Sequence, residues 1–227
     1  MSEVPGRPLV STLRRLLRPP DSAGADACDL CAARLPDPHT HVVDIRTRRL
    51  LCTCLVCGTL DHTSPRRQAA IGSTAGRYRV VPRRYVRLPS MTISAAQWQA
   101  LAIPVDLVFF FFNSTLGRTV ALYPGPLGAT ESLLPLDAWS TAAEANPWIE
   151  ASAPDVEGLL VRKIDDDYPC VLVPIDACYA LVGRIRKHWS GFGGGERVRT
   201  EIDSFFTAIL EQAGPTVACD TPLKEHL

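Results

Sequence analysis

The chain has 227 residues, 46% of them hydrophobic, and its 24 Lys and Arg balance 24 Asp and Glu to a formal net charge of zero. That length and apolar content predict a packed core and a second, smaller unit beside it. The longest apolar run, Val105 to Phe112 with Asp106 inside it, falls far short of the roughly 20 residues of a bilayer-spanning helix, and no h-region follows the N-terminal arginines, so a membrane span is excluded and a secretory signal is not expected.

In chain order, residues 1–26 read as a short Arg/Leu-rich helix stopped by Pro19-Pro20, followed by a polar linker. Residues 27–62 form a cysteine-rich ribbon in which Val42, Val43 and Ile45 lead into an Arg46-Thr47-Arg48-Arg49 turn and Leu50 and Leu51 lead out. Closing that hairpin with Ile45 opposite Leu50 places His41 opposite Cys54 and Val43 opposite Cys52. Residues 63–90 are a linker with an edge strand near Tyr78, Val80 and Val81. Residues 91–213 make the larger unit. Ser94 caps a helix over 95–101, Leu107 to Phe112 is a buried central strand, and 119–123 is its hairpin partner before the breaker-rich Pro124-Gly125-Pro126-Leu127-Gly128. A helix from Asp137 to Ala145 and strands over 156–164 and 171–173 follow. Helices over 176–189 and 196–212 end this unit, and 214–227 is a tail. Strands paired as hairpins with helices between and after them give an α+β fold: a zinc-ribbon or rubredoxin-like four-cysteine module followed by a mixed α+β layer domain with an antiparallel-rich sheet.

The charge balance conceals a division. Residues 1–87 sum to +8 and residues 88–227 to −8. The basic part could meet an anionic partner, or the two parts could dock on each other.

The chemistry concentrates in the ribbon. Cys28-Asp29-Leu30-Cys31 and Cys54-Leu55-Val56-Cys57 are two CxxC pairs separated by 22 residues. Thiolates at i and i+3 of a turning backbone converge on one ion, at about 2.3 Å for zinc, and two such turns complete a tetrahedron with no open position. Cys28, Cys31, Cys54 and Cys57 are therefore the predicted metal ligands, with zinc the first choice and iron or an iron–sulfur cluster the alternative. A closed site is structural or one-electron redox. Five of the eight cysteines cluster here instead of forming a disulfide framework, which points to the cytoplasm. Cys52 shares a strand face with Cys54, and His39 shares one with His41; His39, His41 and Cys52 are alternative or supporting ligands if the register places the histidines on the cysteine side, and otherwise they are ordinary strand residues. Cys170, Cys178 and Cys219 lack matching partners, and no GxSxG, P-loop, HExxH or dinucleotide motif occurs, so no catalytic residue is assigned.

Several separate segments, CDLC, the HxHVVD stretch, LLCTCLVC, IPVDLVFFF, YPGPLGATES and VPIDACYALVGRIRKHW, together resemble an uncharacterised actinobacterial family commonly encoded alongside uptake nickel–iron hydrogenase genes. The resemblance covers roughly residues 10–212. It implies a role near hydrogenase assembly or electron transfer, with a hydrogenase subunit or maturation factor as protein partner, and supplies no catalytic residues. The resulting expectation is a non-catalytic metal-binding accessory protein. A rubredoxin-like iron carrier is one alternative. A nucleic-acid-binding zinc ribbon using Arg46, Arg48, Arg49, Arg66, Arg67, Arg83, Arg84 and Arg87 is another.

Overall fold

The computed structural model describes residues 27–59, 76–132, 136–191 and 193–216. The expected N-terminal helix, the linker residues Pro65, Arg66, Arg67 and Gly72, and the tail holding Cys219 lie outside the described residues. The fold is mixed α+β and is built on two antiparallel sheets. Among the described residues no helix is long and apolar enough to cross a membrane.

The smaller sheet has the order β2-β1-β3, from β1 (Thr40–Asp44), β2 (Arg49–Thr53) and β3 (Tyr78–Val80). Its hairpin register differs by two residues from the expected one: Val43 lies opposite Leu50 and His41 opposite Cys52. Asp44 is the reason. Its carboxylate accepts backbone N–H groups from Arg46 (3.1 Å) and Thr47 (3.3 Å), so the turn begins at Ile45, one residue before the arginine run. Because strand faces repeat every two residues, this slip leaves every side chain on its expected face.

Asp44 is also clamped by Arg77, whose Nε and Nη2 donate at 3.1 and 2.6 Å. The Arg77 guanidinium holds the carboxyl at about 2, overcoming the opposite push of burial. The folded pKa lies below the ordinary value of 3.8, so the stabilisation is present above that pH and is lost as pH falls toward 2. At about 1.4 kcal/mol per pH unit it amounts to about 2 kcal/mol at neutral pH. Asp44→Asn is expected to remove that amount and to flatten the acid limb of the stability profile, as measured by urea unfolding across a pH series.

The larger sheet has six strands: β4 (Val86–Leu88), β5 (Leu107–Asn113), β6 (Arg118–Gly125), β7 (Gly128–Glu131), β8 (Glu157–Arg162) and β9 (Cys170–Pro174). Their order is β4-β9-β8-β5-β6-β7. The helices are α1 (Leu55–Thr59), α2 (Ala95–Ala100), α3 (Leu136–Ala145), α4 (Ile175–His188) and α5 (Gly195–Ala213), with a 3-10 turn over Pro147–Ala151. Both faces of the large sheet are covered. Leu107 and Phe109 pack with Leu181, Ile185, Ile202 and Phe206 of α4 and α5. Val108 and Phe110 pack with Trp98 of α2, Leu101 and Trp148. From Leu107 to Phe110 this antiparallel strand is buried on both faces and has no solvent side, which explains that part of the apolar run; Phe111 is half-buried and Phe112 exposed. Ser94 closes a capping box with Gln97: each backbone N–H donates to the other's side chain, at 2.8 and 3.2 Å.

The expected break at Pro124-Gly125 does not occur; both residues extend β6 and pair with β7. The pairing of β6 with β5 stops at Leu122, so the proline sits where only one neighbouring strand must be served.

The two oppositely charged parts of the sequence do dock. Val43 of the smaller sheet and Val81, the residue after β3, join the core that holds α4 and α5. Ion pairs cross the charge division: Arg79 with Asp155 (2.9 Å), His41 with Asp176 (2.7 Å), and Arg84 with Glu157. Two arginines of the nucleic-acid alternative are thereby committed internally, Arg84 to a fully buried carboxylate and Arg83 to the carbonyl of His39 at 3.1 Å.

Candidate metal centre

The first CxxC is a backbone knuckle. The N–H of Cys28 donates to the carbonyl of Ala33 (2.7 Å) and that of Ala32 to the carbonyl of Cys28 (2.8 Å), with Ala32 in the left-handed region at φ 59°. The second knuckle leaves β2 and becomes α1, whose Gly58 N–H donates to the Cys54 carbonyl (2.8 Å). Gly58 owes its identity to space and not to a positive φ: a Cβ there would lie 2.2 Å from Thr40 Oγ1. Thr40 Oγ1 in turn donates toward the carbonyls of Thr53 (2.9 Å) and Cys54 (3.2 Å), locking β1 to the entrance of the second knuckle.

Asp29 ties the first knuckle to β2, two residues before the second knuckle. Its N–H donates to the Cys52 carbonyl (2.9 Å) while its carboxylate accepts the Cys52 N–H (2.7 Å). Sequence reasoning missed this residue, although an acid inside the first CxxC was the available signal.

The result is convergence. The Sγ atoms of Cys28, Cys31, Cys54 and Cys57 all lie within 4.8 Å of one another. Cys31 Sγ and Cys54 Sγ are 3.7 Å apart, far beyond the S–S bond of about 2.05 Å. Four sulfurs at about 2.3 Å from one ion in a tetrahedron are about 3.8 Å apart, so the spacing suits a shared cation. None of the four cysteines is in a disulfide. Cys28 and Cys57 are buried against Leu35, whereas Cys31 is exposed. The donor set, four converging sulfurs, can hold a metal ion.

The electrostatics fit the same use. Burial pushes the Cys28 thiol up, but backbone N–H groups of Cys54, Leu30 and Cys31 outweigh it and hold the group at about 6. The Ala33 amide pulls Cys31 down, yet the Cys28 and Cys54 sulfurs leave it raised above the ordinary thiol value. Burial, then the neighbouring sulfurs, pushes Cys57 up. Like charges in so small a space oppose one another unless a cation offsets them. Cys31 and Cys57 are each expected to release a proton when metal binds at neutral pH. Affinity should fall with acidification and fall more steeply once Cys28 also protonates below about pH 6. Calorimetric titration in buffers of different ionisation enthalpy reads those protons directly.

His39, His41 and Cys52 are brought together as a separate group, with one ligand atom from each within 4.8 Å of the others. Cys52 packs against the four-cysteine cluster without belonging to its ligand set.

A family model describing a family of unknown function, DUF5947, matches residues 27–213. The chain belongs to this family. The matched span begins one residue before Cys28 and ends with α5, so both ligand groups and both sheets fall inside it. No curated protein and no solved structure matches the chain.

The remaining described cysteines are core residues. Cys170 is 1% exposed, donates to the Pro89 carbonyl at 2.9 Å, and is pushed up to about 12 by burial. Cys178 is fully buried and its thiol is likewise raised.

Proposed function

We propose that this protein is a non-catalytic metal-binding accessory protein, in which Cys28, Cys31, Cys54 and Cys57 hold one ion that fixes the tip of the ribbon for docking on a protein partner. The observation that carries the reading is the convergence of four sulfurs within 4.8 Å, which supplies a complete tetrahedral set and leaves no position for substrate. Zinc is the ion of this reading, because four thiolates without redox demand suit a d10 cation. The tip is apolar where it meets solvent: Leu55 and Val56, between the two cysteines of the second knuckle, are 65% and 68% exposed. Two adjacent exposed aliphatic side chains on a rigid turn are the kind of anchor that protein interfaces use.

The partner of this reading, on the resemblance of the sequence segments to proteins encoded with nickel–iron hydrogenases, is a hydrogenase subunit or a maturation factor. The test is co-purification from cells expressing the hydrogenase genes, with Leu55→Ser/Val56→Ser as the control. Retention by the unaltered chain and loss in the variant, at unchanged metal content, is the expected result. Equal retention of both chains, or of neither, contradicts it.

A second reading, iron at the same thiolates as a rubredoxin-like carrier, is favoured by the exposure of Cys31, which leaves one sulfur at the surface where an electron could enter or leave. Visible thiolate-to-iron absorption after anaerobic purification would select it, and a colourless zinc protein would eliminate it.

A further inference from the structure

The geometry points to a second metal site, in which His39, His41 and Cys52 bind one zinc-like divalent cation through two imidazole nitrogens and a thiolate, with a fourth coordination position left to solvent or a small ligand. It shares no ligand with the four-cysteine cluster and does not depend on how that cluster is read.

Three observations carry it. The antiparallel pairing sets His41 directly opposite Cys52, and the three side chains bring ligand atoms within 4.8 Å of one another. The His39 and His41 rings meet edge to face, 4.7 Å between centroids at 64°, so their nitrogens are not held apart by stacking.

The second observation is a polar atom with nothing to bond. His39 Nε2 is buried and has no hydrogen-bond partner in the protein. Buried ring nitrogens are ordinarily satisfied, and a cation beside His41 and Cys52 would satisfy this one.

The third lies on another element. Asp176, in the first turn of α4, holds His41 Nδ1 at 2.7 Å. A carboxylate on one imidazole nitrogen fixes the tautomer, leaves the lone pair of Nε2 for an ion and makes that nitrogen a stronger donor. Asp176 is 135 residues from His41 in sequence, so the arrangement exists only because the ribbon docks on the larger unit.

The donor set selects the ion class. Two imidazoles and a thiolate suit zinc and its borderline-soft neighbours and are wrong for calcium or magnesium, which take oxygen. Three protein ligands are also the number that leaves a zinc ion reactive toward a bound molecule, in contrast to the closed four-thiolate set. A surface groove of about 410 Å³ has His41, Asp176, Tyr85 and Tyr179 in its wall, which gives small molecules access to this side of the ribbon.

The test is zinc stoichiometry on the full-length protein, equilibrated with Zn2+ and passed through gel filtration under anaerobic conditions. The unaltered chain is expected to retain two ions. His39→Ala/His41→Ala is expected to retain one, with the thiolate-to-cobalt absorption of the four-cysteine site preserved after Co2+ exchange. Asp176→Asn keeps the three ligands and is expected to weaken only the second ion, by about 10- to 100-fold in chelator competition. Zinc content unchanged in the double histidine variant overturns the second site while leaving the four-thiolate reading intact. Loss of the only ion in that variant, with the cysteines remaining free, would instead support the second site and refute the first. Equal chelator sensitivity of Asp176→Asn and the unaltered chain would also count against the proposal.

Discussion

Cys57→Ser is expected to cost the protein its four-thiolate metal and, with it, the order of both knuckles, while the six-stranded sheet with α2 to α5 remains folded. The knuckle end has little else to hold it. Its own buried cluster comprises only Cys28, Leu35 and Cys57 among the described residues, and burial on that scale cannot offset the conformational entropy of ordering the two turns. Structural zinc supplies an apparent ~10–16 kcal/mol to small modules of this kind, and a serine in place of one thiolate forfeits most of it. The turn end of the hairpin is placed differently. Val43 and Leu50 pack into the main core, so protection there should persist after the tip is lost. Hydrogen exchange resolves the two regions. Fast exchange confined to residues near 28–35 and 54–59, with slow exchange retained in β5, β8 and β9, is the predicted pattern. Uniform protection equal to that of the unaltered chain would contradict it.

The second large effect belongs to Arg84 and Glu157. Glu157 is fully buried, accepts Arg84 Nε at 2.6 Å and Nη2 at 2.8 Å, and also takes the Ala153 N–H at 2.7 Å. Breaking a buried pair from one side leaves an uncompensated charge, which costs about 3–5 kcal/mol. Arg84→Ala is therefore expected to lower global stability by that amount in guanidinium unfolding. Replacing both partners with apolar residues should cost less than the sum of the two single changes, since no charge is then stranded. Arg84 lies between β3 and β4, the segment that leads from the smaller sheet into the larger one. The pair consequently reports on docking as well as on stability: a loss below about 1 kcal/mol, in the range of an exposed pair, would show that it is not buried in solution.

Much of the site was legible because its information is local. The CxxC spacing specifies two knuckles, and the 22 residues between them suffice for a hairpin that returns the second pair to the first. The capping box at Ser94 and the apolar run from Leu107 are likewise short-range signals. The faces of the hairpin were recovered even though its register was not. Hydrophobic alternation fixes parity, whereas the residue that sets the turn, Asp44, acts through side-chain hydrogen bonds that alternation does not encode.

What the sequence withheld are the long-range partners. Glu157 reads as one more acid at the start of a strand, and Asp176 as one more acid in the first turn of a helix. Each gains its role only when the ribbon reaches it, 73 and 135 residues away. The same holds for the charge division, whose arithmetic alone fits equally an external anion or an internal acidic surface. Arg79, Arg84 and His41, each facing an acid of the other part, show that the internal surface takes up a share of it.

The central claim is that Cys28, Cys31, Cys54 and Cys57 bind a metal ion that holds the ribbon tip in place. Metal quantification of the full-length protein, purified anaerobically and compared with Cys28→Ser and Cys57→Ser, tests it most directly. The account predicts at least one zinc or iron per chain in the unaltered protein and the loss of one equivalent in each variant. A protein with an intact, protease-resistant ribbon and no transition metal, or variants that keep their full metal content, would contradict it.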